Sequence, residues 1–118
     1  FEATLDLSKG SERCNCSYCT KVRNWVVITT PSAFKLLTGE DALTDYSGKI
    51  PSAHQLFCRH CGVRPFGKGH HPHLGEYVSV VLSCLDDASP EALLEGPIRY
   101  GNGRDDDWMK PPAKTAHL

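Results

Sequence analysis

Two cysteine clusters limit what this chain can fold into more than any other feature. Cys14, Cys16 and Cys19 fall within six residues, and Cys58 and Cys61 stand one short turn apart. Thiols this close in sequence do not bridge one another comfortably, but they can all turn toward one centre. The stretch Phe1 to Leu7 alternates apolar and polar residues and has no basic start, so it does not read as a secretion signal. A reducing compartment follows as the expectation, and clusters of this kind there bind metal. Sulfur ligands at these spacings suit tetrahedral zinc.

The two clusters differ in what they offer a metal. Cys58-Arg-His-Cys61-Gly62 is a knuckle: two thiolates grip one ion from a tight turn, and Gly62 supplies the positive φ that lets the chain leave. Two thiolates do not fill a tetrahedral site, so the remaining ligands must come from elsewhere. Cys14-Asn-Cys16-Ser-Tyr-Cys19 offers three thiolates to one ion and leaves a fourth position open, the arrangement catalytic zinc uses. An equally weighted reading gives one zinc two cysteines from each cluster, with the fifth a spectator.

The rest of the chain reads as short strands broken by turn residues, hence a mostly-β fold. Phe1 to Leu7 predicts a half-buried strand and Ser8 to Arg13 a polar turn. Trp25 to Thr30 is β-branched and aromatic, a buried strand, and Leu43 to Tyr46 is a short one. Gly67 to Pro72 reads as a Gly/His/Pro loop. Gly75 to Leu85 is the strongest strand signal and places Cys84 in mid-strand. Ser89 to Leu94 predicts a helical turn or two, with Ser89 as N-cap and Pro90 at the first helical position. After Gly101 the chain is expected to lie extended over the surface as a tail, 101–118.

Charge and length exclude some functions. Lys and Arg number 13 against 14 Asp and Glu, so the basic footprint that nucleic acid needs is absent. No apolar run approaches the ~20 residues of a membrane span. At 118 residues the chain suits a single domain, 1–118. It does not begin with Met, so residues are expected before Phe1.

In this order, Cys14-Asn-Cys16-Ser-Tyr-Cys19-Thr-Lys21, Phe34-Lys-Leu-Leu-Thr-Gly39, Leu43, Tyr46, His54-Gln-Leu-Phe57-Cys58-Arg-His-Cys61-Gly62 and Cys84-Leu-Asp86 resemble the glutathione-dependent formaldehyde-activating enzyme family, which also includes centromere protein V. The likeness runs roughly from Phe1 to Trp108. It implies an Mss4-like, zinc-pinned antiparallel β fold with two zincs. The catalytic zinc is held by Cys14, Cys16 and Cys19. The structural zinc is held by Cys58 and Cys61 together with a further C-x-C expected just before Phe1, without which that second site would be half-built. The implied activity is that of a cytoplasmic carbon–sulfur lyase adding a thiol such as glutathione to a small aldehyde such as formaldehyde. The alternative is a non-catalytic zinc-binding interaction module of the same fold.

Further residues are candidates for lesser roles. Cys84 is expected in the core, or else lining the metal cleft, since its neighbours resemble a family segment. His54 is a satisfied core histidine or a support to the metal site. His70, His71 and His73 form a loop cluster at the surface. Lys21, Arg23 and Arg104 are cations that could meet a carboxylate-bearing ligand, and Trp108 caps a cleft or packs the tail.

Overall fold

The computed structural model describes residues 1–118. Nine strands and two short helices run along the chain. They are β1 (Glu2–Ala3), β2 (Ser11–Cys14), α1 (Ser17–Lys21), β3 (Trp25–Thr29), β4 (Phe34–Lys35), β5 (Leu43–Tyr46), β6 (Ala53–Cys58), β7 (Phe66–His71), β8 (Gly75–Val81), α2 (Pro90–Leu93) and β9 (Ile98–Gly101). β1 and β4 pair alone, and the other seven form one sheet in the order β5-β6-β7-β8-β3-β2-β9. Every pairing is antiparallel except β2 with β9, which is parallel. The fold is mostly β, as expected.

The β-branched runs of β3 and β8 lie side by side, Val26 opposite Val81 and Val27 opposite Val80. Val26, Val78, Val80 and Leu82 are buried there. Phe66, 1% exposed, plugs the core beneath the small sheet, with the Phe34 ring centroid at 4.6 Å and that of Phe1 at 5.9 Å. Burial of such a side chain contributes about 1.5–3 kcal/mol, so this aromatic trio secures β1 and β4 to the main sheet.

Several local expectations give way to the tertiary structure. The first strand shortens to Glu2–Ala3, and Leu7–Lys9 forms a 3₁₀ turn. The expected polar turn at Ser8 to Arg13 becomes β2 from Ser11 on. Its polarity is satisfied in place: Ser11 N–H donates to the Pro97 carbonyl at 3.0 Å, and its hydroxyl accepts the Trp25 indole N–H at 2.7 Å. Gly67 to Pro72 is no loop, because β7 runs through to His71. Its glycines are there for close approach. A Cβ on Gly67 would stand 2.8 Å from the His54 carbonyl, and one on Gly69 2.5 Å from the Tyr77 hydroxyl. β8 ends at Val81, so Cys84 sits in a 3₁₀ turn rather than in mid-strand. The helix at Pro90 forms as read, with the Ser89 hydroxyl accepting the Ala92 N–H at 3.2 Å. No helix is long and apolar enough to cross a membrane.

Candidate metal centre

The first cysteine cluster is built where β2 passes into α1. Cys14 is the last residue of β2, Cys16 is the N-cap of α1, and Cys19 lies within that helix. An N-cap side chain normally accepts a hydrogen bond from an amide of the first turn. Here the acceptor is sulfur: Cys19 N–H donates to Cys16 Sγ at 3.4 Å. Cys16 N–H donates in turn to Cys14 Sγ at 3.4 Å. The tight turn and the cap fold all three sulfurs inward, so that they lie within 4.8 Å of one another. All three residues are half-buried.

Two further segments close around the cluster. Arg23 takes the left-handed conformation, φ 53°, and turns the chain back so that Asn24 Nδ2 donates to Cys19 Sγ at 3.5 Å. On the other side the parallel β2–β9 pair brings the stretch after Gly101 alongside. Asn15, 7% exposed, donates through Nδ2 to Asn102 Oδ1 at 2.6 Å and accepts the Arg104 N–H at 2.9 Å. This buried amide pair holds Gly103 against the sulfurs. A Cβ at Gly103 would stand 2.9 Å from Cys14 Sγ and 2.8 Å from the Trp108 ring, so only glycine fits. The tail thus contributes to the site instead of simply lying over the surface.

Charge on the three thiols is shared unevenly. The Cys19 thiol donates to the Cys14 sulfur, and with help from the Cys16 and Gly103 N–H groups this draws the Cys14 thiol down to about 5. Cys19 is pushed up because its proton is held by Cys14 and because it is buried. The two shifts run in opposite directions, as they do where two close sulfurs share one proton.

The second cysteine turn is simpler. Cys58 ends β6, Cys58 N–H donates to the Val63 carbonyl at 2.8 Å, and Gly62 N–H donates back to the Cys58 carbonyl at 2.8 Å. Gly62 has φ 74°, the left-handed turn expected of it. The N–H groups of Cys61 and His60 hold the Cys58 thiol below its ordinary range. Cys61 is exposed, and no third His, Cys, Asp or Glu completes a ligand group with this pair. The three thiols of the first cluster converge without this pair.

The remaining candidates fall in different places. His54 Nδ1 meets Asp45 Oδ2 at 2.6 Å across the β5–β6 pair, half exposed and outside the core. His70, His71 and His73 are exposed and gather no third ligand. Cys84 is half-buried, its thiol 3.8 Å from the Arg64 carbonyl, and burial pushes its pKa up. Arg23 donates to the His117 carbonyl at 2.6 Å, Arg104 Nε to the Asn15 carbonyl at 3.3 Å, and Lys21 is exposed. Trp108 donates to Asp106 Oδ1 at 2.8 Å and packs over Gly101 and Gly103.

Sequence reasoning missed Asn15, Asn24, Arg64, Asn102 and Gly103. Asn15 and Asn24 border the cluster in sequence, but nothing in their spacing marks them. The others reach it only through the fold. The cluster is also tightly covered: the space lined by Cys14, Cys19, Thr20, Arg23, Asn24 and Leu118 is too small for a water. A cleft of about 610 Å³, lined by Leu36 to Asp41 and Lys68, lies elsewhere.

Fold and site together define a class, an antiparallel β protein with a three-thiol group able to hold a metal ion at a strand-to-helix turn. The chain belongs to the glutathione-dependent formaldehyde-activating enzyme family, whose sequence model matches residues 2–96. A similar solved structure is the crystal structure of a Rhodobacter sphaeroides protein, a structural-genomics target. It is 24% identical, covering 83% of this chain and 87% of that one with a TM-score of 0.66, which establishes the shared fold.

Proposed function

We propose that this chain adds a small thiol such as glutathione to a small aldehyde such as formaldehyde, a carbon–sulfur lyase type of reaction, at Cys14, Cys16 and Cys19. The observation that carries the reading is the convergence of three thiols within 4.8 Å in a member of this family. The donor set fits zinc: three soft sulfur ligands on one turn, with a tetrahedral position left for another group. Bound there, zinc supplies a Lewis acid and lowers the pKa of a thiol at its open position.

The chain's own residues prepare that chemistry. The N–H groups of Cys16 and Cys19 and the Asn24 amide donate to the sulfurs, so negative charge is stabilised before any ligand arrives. The Asn15–Asn102 pair holds Gly103 in place. Leu118 lies against the Cys14–Cys19 side. In the reaction the sulfur–carbon bond forms, the thiol proton leaves sulfur, and a proton reaches the carbonyl oxygen. Cys58 and Cys61 alone do not complete a four-coordinate site, and no step passes through them. The thiols must stay reduced, which suits the cytoplasm.

The test is zinc-loaded protein with formaldehyde and glutathione, following S-hydroxymethylglutathione by NMR exchange against the spontaneous rate. Acceleration that Cys16→Ser removes is the expected result. Zinc bound at the triplet with no acceleration for any small aldehyde would sink the enzyme reading and leave the non-catalytic zinc module in its place.

A further inference from the structure

We infer that Arg64 and Asn24 form a positioning pair that aims one hydrogen-bond donor at the Cys19 sulfur and thereby tunes that ligand. The inference rests on the reading that Cys14, Cys16 and Cys19 hold a metal. It goes beyond that reading by giving an orienting role to two residues that ligate nothing.

Asn24 is held from three directions. Its backbone N–H donates to the Cys19 carbonyl at 2.9 Å, closing the turn that follows α1. Its Nδ2 lies 3.5 Å from Cys19 Sγ. Its Oδ1 accepts from Arg64 Nη2. The preceding Arg23 is left-handed, φ 53°, a conformation that costs a non-glycine residue about 1–2 kcal/mol. The chain thus spends backbone strain where it returns Asn24 to the cluster.

Arg64 decides which end of the amide faces sulfur. A guanidinium carries donors only, so the amide oxygen must point to it and the NH₂ must point to Cys19. Without Arg64 the amide could flip and set its oxygen against the thiolate. Arg64 is itself fixed, since Nη1 donates to Gln55 Oε1 at 2.8 Å on β6. Both of its partners are neutral, and the ion pairs of the molecule, Lys9–Asp6, His54–Asp45 and Arg99–Glu12, do not include it. A half-buried cation without a carboxylate is costly unless negative charge lies near. Three thiolates on a divalent ion leave one negative charge over, and the Arg64–Asn24 chain points at it. Arg64 leaves the Cys58–Cys61 turn, so this chain also couples one cysteine turn to the other across 40 residues of sequence.

The test titrates Co²⁺ into the metal-free full chain, reading affinity by chelator competition, the sulfur-to-cobalt charge-transfer band, and melting temperature. A hydrogen bond lowers the energy of a sulfur lone pair, so losing the donor moves that band to longer wavelength. Asn24→Ala and Arg64→Met are each expected to do so and to weaken Co²⁺ about 10–100-fold, the usual effect of losing a ligand's supporting partner. The double variant should be no worse than Asn24→Ala alone, because the two act as one unit. Arg64→Lys, which keeps a donor for Asn24 Oδ1, should recover part of the loss. A purely structural Arg64 would lower the melting temperature and leave band and affinity at wild-type values. That result, or additive effects in the double variant, overturns the inference. A wild-type chain that binds no Co²⁺, or binds it equally well as Cys16→Ser, overturns the metal reading itself and this inference with it.

Discussion

Cys16 to Cys19 and Cys58 to Cys61 are the same C-x-x-C step, each taken just after a strand, yet their surroundings differ throughout. Within the first, the chain enters α1, and a third thiol from the end of β2 joins the pair. Backbone amides and the Asn24 side chain turn donors toward those sulfurs, and a loop held by a buried asparagine pair packs against them. Past the second, the chain swings back through left-handed Gly62, with Cys61 exposed and no third ligand beside it. Spacing alone makes a pair of thiols available. A centre needs further elements that bring donors and shield the sulfurs from water.

The largest expected effect sets single substitutions in the two turns against each other. Cys16→Ser should leave no tight metal site at the triplet, whereas Cys61→Ser should leave triplet loading intact, as metal content after dialysis will show. Equal losses in the two variants would mean that the clusters share an ion after all.

Glycines sharpen the contrast next. Gly103→Ala forces a methyl to 2.9 Å from Cys14 Sγ, so metal affinity should fall about 10-fold or more while most of the fold survives. Gly62→Ala meets nothing within 4 Å and should instead cost about 1–2 kcal/mol of stability for its left-handed backbone, with triplet affinity unchanged. Metal competition and denaturant unfolding separate the two outcomes.

The pH dependence of the metal-free protein gives a smaller signal. Cys14 is lowered from 9.0 to about 5 by the Cys19 thiol, so its contribution to stability is full above pH 9 and lost as pH falls toward 5. Cys19 is raised above its ordinary 9.0, so its contribution is full below pH 9 and lost as pH rises beyond it. The pair should support folding best near pH 9. The melting-temperature difference between wild type and Cys14→Ser should peak there, and a flat difference would remove the shared proton. Smallest of all, a mild alkylating reagent applied to zinc-loaded protein should modify exposed Cys61 ahead of Cys14, Cys16 and Cys19, as peptide mapping would show.

Local patterns were legible wherever neighbouring residues decide the outcome. Trp25 to Thr29 and Leu43 to Tyr46 form the strands their composition predicts, Ser89 and Pro90 start a helix, and Gly62 is left-handed. Reading failed where a distant partner overrides local preference. Ser11 to Arg13 looked like a turn because its polar groups find partners only in Trp25 and Pro97. Gly67 to His71 looked like a loop because its glycines are needed by neighbours across the sheet, which sequence does not display.

For the candidate site, the sequence by itself placed three thiols on one short turn. Three thiols on one short turn can converge whatever surrounds them, because a strand end followed by a helix cap fits within six residues. Only the tertiary structure decided what braces those thiols. Asn102 and Gly103 arrive through the parallel pairing of β9 with β2, 87 residues beyond Asn15 in the case of Asn102, and Arg64 arrives from the far cysteine turn, 40 residues beyond Asn24. Contacts over such distances are set by sheet register and core packing, which act on the whole chain and leave no local signature.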